Sequence, residues 1–330
     1  GTYFSANGLN PMAFKSLKHL EREVLHTTSD LLHGDDQVCG VMTSGGTESC
    51  LLAVKTYRDR GVAHGIRAPE MVIPESGHVA WEKGGEYFGV KSRHAALTKD
   101  MHVDLASVRS LVNRNTVMIL GSAPDYPHGM IDPIEDLGRL AQEKGIPLHV
   151  DACVGGYLLP FLERIGVSLP LWDFRVPGVS SISADIHKYG FAAKGASCIL
   201  YRRLEDFKYQ VFVYENWPGG VFASPALLGT RPGGAYAAAW AALQAQGEEG
   251  YLQLARRTMA ATAKLLAGIR CIPELEVVGD PKASLFAYRS VDPAVNIFAI
   301  GDQMEQKGWW VDRLQHPDAL HAMVTASHDA

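Results

Sequence analysis

The sequence predicts an α/β fold: a mainly parallel central sheet covered by helices on both faces, followed by a smaller α+β domain at the C-terminus. Short, almost unbroken apolar runs alternate with helical patterns between residues 38 and 201, which is typical of parallel strands buried on both faces. Beyond residue 274 short strand-like runs surround a single helical pattern. We therefore divide the chain into a large domain with an N-terminal segment, residues 1–250, and a smaller domain, residues 251–330, which we expect to be incomplete.

The large domain begins with a helix and continues as a regular alternation of elements. Apolar residues recur at helical spacing from Phe14 to Leu25, which predicts a first helix that ends near Gly34. The predicted strands that follow are 38–42, 71–74, 116–120, 147–151, 179–183 and 197–201, and the predicted helices are 50–60, 79–88, 104–113 and 134–144. In such a sheet, ligands bind beyond the carboxyl ends of the strands.

The segment 214–234 separates this alternation from the rest of the chain. It is rich in Gly and Pro, and we expect an irregular, functional loop rather than regular structure. Helices are predicted at 235–246 and 251–269, and the smaller unit then has predicted strands at 276–278, 285–289 and 309–311 and a helix at 296–307.

Composition and charge exclude several classes of protein. The 330 residues are 47% hydrophobic, and the net charge of −5 provides no basic surface for nucleic acid or anionic membrane. No apolar stretch reaches the roughly 18 residues of a transmembrane helix, and no signal peptide is visible. The five cysteines are odd in number and form no C-x-x-C pair, which favours neither a disulfide framework nor a metal site. We therefore expect a cytoplasmic chain without a membrane span.

A candidate nucleophile lies between two predicted core strands. Lys188 follows the strand 179–183 and is flanked by Asp185, His187 and Tyr189. We expect burial to lower the pKa of the Lys188 ammonium and so favour the neutral, nucleophilic amine. The alternative is a surface-loop lysine beside a histidine.

A candidate anion site lies at the junction of the strand 38–42 and the helix 50–60. The segment 43–49 places Gly45, Gly46 and Thr47 at a helix start, where backbone N–H groups and the helix dipole attract anions. The alternative is an ordinary helix cap without a ligand. A Walker loop is excluded because no Gly-Lys-Ser/Thr follows.

These motifs occur in an order that resembles a known family. Ser-Gly-Gly-Thr at 44–47, an Asp151 that closes a strand, and His187-Lys188 resemble the fold-type I pyridoxal-phosphate enzymes of the group II decarboxylase-like branch. Within that branch the chain resembles the sphingosine-1-phosphate lyases. The matching stretches are 43–49, 127–129, 132–133, 150–156, 173–179, 181–190, 223–225 and 231–234.

The resemblance implies a set of cofactor contacts. Pyridoxal 5'-phosphate (PLP) would form a Schiff base with Lys188, and Asp151 would hold the proton on the pyridine nitrogen. His78 would stack on the cofactor ring. The contacts to the phosphate would come from Gly46, Thr47 and His187, and the segment with Thr230 and Gly233 would come from a partner subunit. The resemblance therefore implies a homodimer with shared active sites.

The reaction implied by the resemblance is a retro-aldol cleavage of phosphorylated sphingoid bases to a fatty aldehyde and phosphoethanolamine. Lys194 would bind the substrate phosphate or transfer a proton, and Asn7 and Tyr126 would line the phosphate site. Asn10 stands where the family commonly has a histidine, and an asparagine neither carries charge nor shuttles protons.

Two other functions remain open on the sequence. One is a PLP-dependent amino-acid decarboxylase of the same fold, which would share Lys188, Asp151 and His78. The other is a non-catalytic PLP-fold protein or a plain nucleotide-binding α/β domain.

Overall fold

A computed structural model of the chain describes residues 2–3, 5–9 and 13–329. Its helices are α1 Lys15–Leu31, α2 Gly46–Ala63, α3 Ala80–Phe88, α4 Leu105–Leu111, α5 Ile134–Lys144, α6 Leu159–Arg164, α7 Leu204–Phe207, α8 Gly233–Arg270 and α9 Ile297–Gln306. The strands of the large sheet are β1 Cys39–Thr43, β2 Glu70–Pro74, β3 Lys91–Ala95, β4 Thr116–Ser122, β5 Leu148–Asp151, β6 Val179–Ala184 and β7 Ser197–Tyr201. The later strands are β8 Phe212–Tyr214, β9 Phe222–Ser224, β10 Leu275–Val277, β11 Leu285–Ser290, β12 Asp312–Leu314 and β13 Ala319–Met323.

The large sheet has seven strands in the order β1-β7-β6-β5-β4-β2-β3. Strand β7 runs antiparallel to both of its neighbours, and the other neighbouring pairs are parallel. Since β1 and β6 both oppose β7, they run in the same direction as each other. The carboxyl ends of β1, β4, β5 and β6 therefore meet at one edge of the sheet. The predicted α/β fold with a mainly parallel sheet is confirmed.

Helices cover this sheet on both faces, as expected for parallel strands. Side chains alternate along each strand, so Val150 and Ile182 pack in one core with α1, α5, α6 and α8. Met71, Met118 and Ile199 pack in a second core with α2 and α3 on the opposite face.

Strand β3 at the sheet edge was not predicted. Its sequence, Lys-Ser-Arg-His-Ala, has no apolar run, and its residues from Lys91 to His94 are exposed or only partly buried. An edge strand with one hydrogen-bonded neighbour does not need the composition of a buried strand.

The segment predicted to be irregular, 214–234, contains regular structure, so that prediction is wrong in part. Strands β8 and β9 form an antiparallel hairpin with Phe212 opposite Ser224. The Trp-Pro-Gly-Gly sequence, 217–220, forms the turn between them, with Gly220 at φ 85°. The glycines and prolines here serve a hairpin turn.

The C-terminal part forms a four-stranded antiparallel sheet in the order β10-β11-β13-β12. The strand predicted at 309–311 is wrong in position, because β12 begins at Asp312 and Trp310 is 78% exposed. Strand β13 was not predicted, although its residues Ala319 and Leu320 are fully buried. The predicted helices 235–246 and 251–269 join as α8 across a break at Gly247, where φ is 57°.

The division of the chain at residues 250 and 251 stays a prediction, although the break in α8 lies close to it. None of the helices in the described part of the chain has the length and apolar character needed to cross a membrane.

Candidate active site

A cavity of about 370 Å³ lies at the carboxyl ends of the central strands. Its wall comes from the loops that follow β1, β2, β4, β5 and β6, which is where ligands bind in sheets of this kind. Seven residues predicted from the sequence line it together: Gly46, Thr47, His78, Tyr126, Asp151, His187 and Lys188. Residues that are far apart in the sequence thus meet at one site.

Lys188 lies in this cavity beside a buried carboxylate. Its Nζ is 3.0 Å from Oδ2 of Asp185, and the Asp185 side chain is 1% exposed. The expected lowering of the lysine pKa is wrong for this geometry. Burial by itself would lower the pKa of Lys188. The negative charge of Asp185 raises this pKa, with smaller contributions from Cys153 and Asp151, and together these effects exceed that of burial, so the pKa of Lys188 is raised. The amine is therefore held as an ammonium ion by Asp185.

Residues 44–47, which we call the glycine cup, line the cavity next to this ion pair. A Cβ added to Gly46 would lie 2.9 Å from both Asp185 Oδ2 and Cys153 Sγ, so a larger residue would displace these two buried side chains. Helix α2 begins at Gly46, and no side chain caps its first turn. Its first backbone N–H groups are therefore available to an anion. Glu48 accepts hydrogen bonds from the Ser44 N–H at 2.7 Å and from the Leu227 N–H at 3.0 Å, and so ties the cup to the loop after β9.

His187 presents one ring nitrogen to the cup. Its Nδ1 accepts a hydrogen bond from the Ala196 N–H at 3.2 Å, so the neutral ring carries its proton on Nε2. Nε2 lies 3.6 Å from Asp185 Oδ2. Burial lowers the pKa of His187, despite the opposing charge of Asp185. A neutral donor at this place suits a phosphate oxygen.

Asp151 closes β5 and is held from several sides. Its Oδ2 accepts a hydrogen bond from Trp81 Nε1 at 3.0 Å, and its Oδ1 accepts one from the Cys153 N–H at 3.1 Å. Burial alone would raise the pKa of Asp151, but the hydrogen bonds from Cys153 and Trp81 and the nearby His149 lower it overall. The carboxylate is therefore ionised although it is buried.

Tyr126 connects the cavity to the C-terminal sheet. Its hydroxyl donates a hydrogen bond to Asp312 Oδ2 at 2.8 Å, and its ring centroid lies 4.6 Å from that of His321. The His78 ring lies edge-on to Tyr126 at 6.1 Å, and His78 Nδ1 accepts a hydrogen bond from the Ala80 N–H. Burial, together with the hydrogen bond to Asp312 and the charge of that residue, raises the pKa of Tyr126 to about 12.

Four predicted site residues lie in the described part of the chain but do not line this cavity. Lys194 is exposed and donates from Nζ to the His187 carbonyl at 3.2 Å. Thr230 is exposed, and Gly233 packs against the N-terminal segment, where its N–H donates to the Ala6 carbonyl at 2.9 Å. Asn7 pairs with Pro232 in an isolated antiparallel bridge. A fifth, Asn10, lies outside the described residues.

Comparison with known proteins identifies the family. The model for the pyridoxal-dependent decarboxylase conserved domain matches residues 12–291. The chain belongs to the pyridoxal-dependent decarboxylase family. Within it, the chain is 47% identical over 328 residues to the sphingosine-1-phosphate lyase of Arabidopsis thaliana, and the match covers 98% of the chain and 60% of that relative. The chain thus spans less than two thirds of that protein's length.

Solved structures confirm the fold-type I expectation. The sphingosine-1-phosphate lyase of Burkholderia pseudomallei superposes with a TM-score of 0.96 and 42% identity, over 100% of the chain and 77% of that protein. A glutamate decarboxylase of Lactobacillus brevis superposes with a TM-score of 0.87 at 22% identity, over 98% of the chain and 79% of that protein, which shows a shared fold.

The residues of the cavity fit pyridoxal 5'-phosphate, the cofactor of this family. Asp185 Oδ1 is buried without a hydrogen-bond partner among the described residues, so it faces a place where a polar group can bind. The glycine cup at Gly46 leaves room for an anion beside it. The amine of Lys188, the carboxylate of Asp151 and the helix start at Thr47 supply the donors and acceptors that the cofactor's aldehyde, ring nitrogen and phosphate need.

Several lining residues received no role from the sequence. Asp185 and Cys153 were seen only as neighbours of Lys188 and Asp151, yet both contact the glycine cup. Cys50 Sγ lies 3.9 Å from Asp151 Oδ2, and Trp81 reaches the same oxygen from α3. For Asp185, the sequence does contain a signal, because Asp185 lies three residues before Lys188. Trp81 and Cys50 gave none, because their contacts depend on how α2 and α3 lie over the sheet.

Proposed function

We propose that the chain is a PLP-dependent aldehyde-lyase that cleaves phosphorylated sphingoid bases between C2 and C3, giving a fatty aldehyde and phosphoethanolamine. The observation that carries this proposal is the 42% identity to a bacterial sphingosine-1-phosphate lyase over the whole chain. The decarboxylase alternative has support at the level of the fold.

The cofactor, when bound, supplies an electron sink for the pair left by the broken C2–C3 bond. Lys188 would be the amine that holds the cofactor, and it would give way to the amine of the substrate. For this attachment the Lys188 ammonium must lose a proton, and Asp185 lies 3.0 Å away to take part in that transfer. Asp151 would hold the proton on the ring nitrogen, His78 would cover the ring, and Gly46, Thr47 and His187 would hold the phosphate.

Four residues would bind the substrate headgroup, namely Tyr126, Lys194, Asn7 and Asn10. Tyr126 lines the cavity, and its hydroxyl is held by Asp312, which fixes its direction. Lys194 lies on the same loop as Lys188 and carries the positive charge that a substrate phosphate or a proton transfer requires. Asn7 and Asn10 would also contribute to binding the headgroup. Because the chain has a net charge of −5, local groups rather than a general positive field must bind the phosphate.

We also propose that two copies of the chain share their active sites. The β8–β9 hairpin exposes a large apolar surface, with Phe212 53%, Trp217 50% and Val221 73% exposed. A contiguous apolar patch of this kind is typical of an interface. Burial against a second copy would carry Thr230 and Gly233 into the cofactor site of the partner.

A hybrid of two inactive variants tests the shared site. We expect Thr230→Asp to place a negative charge against the cofactor phosphate and to abolish activity, and we expect Lys188→Ala to abolish it too. If Lys188 and Thr230 of one site come from different chains, co-expressed hybrids contain one intact site and recover activity. If both come from the same chain, the hybrid stays inactive, and an active Thr230→Asp homodimer would remove Thr230 from the site.

Product analysis tests the reaction. Incubation with sphinganine 1-phosphate should release a fatty aldehyde and phosphoethanolamine, and Lys188→Ala should release neither. Release of CO₂ from an aromatic or acidic amino acid without any aldehyde would favour the decarboxylase. A failure to bind PLP at all would favour the plain nucleotide-binding domain.

We propose a reducing, cytoplasmic compartment for the chain. In support, Cys50 and Cys153 are free thiols whose sulfur atoms lie within 4.8 Å of each other. Cell fractionation with an antibody against the chain tests this location.

A further inference from the structure

A chain of buried hydrogen bonds leads from helix α2 to Asp151. The Tyr57 hydroxyl lies 2.6 Å from Ser181 Oγ, which lies 2.7 Å from His149 Nδ1. On the other side of the ring, His149 Nε2 lies 3.2 Å from Ser183 Oγ, which lies 3.4 Å from Asp151 Oδ1. Tyr57, Ser181, His149 and Ser183 are each 0% exposed. We call these four residues the hydrogen-bond chain.

The register of two neighbouring strands builds this arrangement. His149 and Asp151 are two positions apart on β5, so they point to the same face of the sheet. Ser181 and Ser183 are two positions apart on β6, and His149 pairs with Ser181 as Asp151 pairs with Ser183. The residues between them, Val150 and Ile182, point to the opposite core.

This polar line lies on a face whose core is mainly apolar. The same face packs Met118, Leu120 and Ile199 against helices α2 and α3. Burying hydroxyl and imidazole groups there costs free energy that valine or isoleucine would not cost, unless each group is hydrogen-bonded. Because apolar side chains of the same shape can replace both partners of a buried hydrogen bond at almost no cost, a structural role alone does not require these groups.

The charge on Asp151 sets the direction of every bond in the hydrogen-bond chain. An ionised carboxylate only accepts hydrogen bonds, so Ser183 donates to Asp151 and must accept from His149 Nε2–H. Burial lowers the pKa of His149 to about 4, so the ring is neutral near pH 7 and its Nδ1 is an acceptor. Ser181 then donates to Nδ1 and accepts from the Tyr57 hydroxyl. All four donors point towards Asp151.

Asp151 has other neighbours that act on the same carboxylate. Trp81 Nε1 and the Cys153 N–H donate to it at 3.0 and 3.1 Å, and Cys50 Sγ lies at 3.9 Å. These groups contact Asp151 directly, whereas His149 acts on it through Ser183.

We propose that His149 is a positioning residue that, with Ser183, Ser181 and Tyr57, keeps Asp151 ionised and thereby keeps the ring nitrogen of PLP protonated. This inference rests on the proposed function only in that Asp151 faces the ring nitrogen. Donors that point in series towards one carboxylate stabilise its charge more than isolated donors do. The protonated ring nitrogen in turn makes the cofactor a better electron sink.

A matched pair of tyrosines tests the proposal. Tyr57 and Tyr201 are both 0% exposed, and their rings lie 6.2 Å apart. The Tyr201 hydroxyl bonds Thr56 Oγ1 at 2.9 Å, and Thr56 bonds the Leu52 carbonyl, so this second path ends inside α2. Tyr57→Phe and Tyr201→Phe therefore remove equally buried hydroxyls, of which only the first belongs to the hydrogen-bond chain.

The readout is the ¹⁵N chemical shift of the ring nitrogen in holoenzyme reconstituted with labelled PLP, without substrate. We expect His149→Leu to move this resonance towards that of unprotonated pyridine and to weaken PLP binding about tenfold, or 1.4 kcal/mol. His149→Gln, whose amide can still donate to Ser183, should restore most of the shift. Tyr57→Phe should move the resonance by a smaller amount, and Tyr201→Phe should leave it in place.

An unchanged resonance in His149→Leu, or equal shifts in the two tyrosine variants, would overturn the proposal. Should His149→Leu fail to retain PLP, the two tyrosine variants decide the question alone. Because no substrate is present, a failure to release aldehyde from sphinganine 1-phosphate would leave this result intact. A labelled nitrogen that is unprotonated in the parent enzyme would refute the role of Asp151 itself.

Discussion

The cavity has two parts that differ in how they are held. The pocket floor, which consists of Gly46, Asp151, Asp185 and Lys188, is formed by side chains and backbone that already contact one another at strand ends. We call a second group the pocket rim: Tyr126, which lines the cavity and depends on the C-terminal sheet, and Lys194 with the segment 212–231, which lie outside the cavity lining and belong to the site by proposal.

This difference indicates what each part does. We propose that the floor supplies most of the cofactor contacts, because its groups are positioned before any ligand arrives. The rim gains its geometry from distant or partner elements, so it suits the recognition of substrate. Variants of the floor should therefore disturb cofactor binding, and variants of Tyr126 and Lys194 should disturb turnover of a fully loaded enzyme.

The largest effect is expected for Lys188→Ala. Loss of the attaching amine should abolish the visible absorbance band of the bound cofactor and lower turnover at least about a thousandfold, or roughly 4 kcal/mol. Lys264→Ala, at an exposed position of α8, is the control and should keep both. Retention of the band in Lys188→Ala would show that another residue attaches the cofactor.

Asp151→Asn should have the next largest effect, also on the cofactor. A hydrogen bond to a charged group is worth roughly 2 kcal/mol, so PLP affinity should fall about thirtyfold when the carboxylate is lost. The control is Asp35→Asn, which removes an exposed carboxylate paired with Arg203. Equal PLP affinity in the parent and in Asp151→Asn, measured by equilibrium dialysis, would contradict the role of this floor residue.

Lys194→Ala tests whether the two lysines of one loop, Lys188 in the floor and Lys194 in the rim, have different roles. We expect turnover to fall by more than about tenfold, or 1.4 kcal/mol, while the absorbance band of the bound cofactor stays as in the parent. Steady-state kinetics with sphinganine 1-phosphate, together with the spectrum, measure both properties. Kinetics close to the parent would remove Lys194 from the mechanism, and a lost band would move it to the floor.

Tyr126→Phe should have the smallest effect. It removes the hydroxyl that donates to Asp312 and keeps the ring against His321. The bond joins a neutral hydroxyl donor to a carboxylate and is only partly buried, so it is worth about 1 kcal/mol. We therefore expect KM for the substrate to rise roughly fivefold while PLP affinity stays unchanged. A fall in PLP affinity without a change in KM would place Tyr126 in the floor instead.

The floor was predictable from the sequence to a large extent, because strand ends are local features. Asp151 closes an apolar run, Gly46 opens a helix and Lys188 follows a buried strand, and a parallel sheet brings such positions together. The direction of the pKa shift of Lys188 was predicted wrongly. The position of Lys188 between two strands indicates burial, but the sequence does not reveal the 3.0 Å contact with Asp185.

Features that depend on long-range contacts could not be predicted. The contact between Tyr126 and Asp312 joins residues 186 positions apart, one in the turn after β4 and the other in β12 of the C-terminal sheet. The hydrogen-bond chain depends on the register between β5 and β6, which places His149 opposite Ser181. Each strand alone shows only an alternation of polar and apolar residues, so the sequence does not reveal that the two polar sets meet.

The site that attaches the cofactor can be identified directly by chemical trapping. Reduction of the holoenzyme with borohydride fixes the bond between cofactor and lysine, and peptide mass spectrometry then locates the added pyridoxyl group. The division into floor and rim predicts this group on Lys188 and none on Lys194, six residues further along the same loop. A pyridoxyl group on Lys194, or on no lysine, would contradict it.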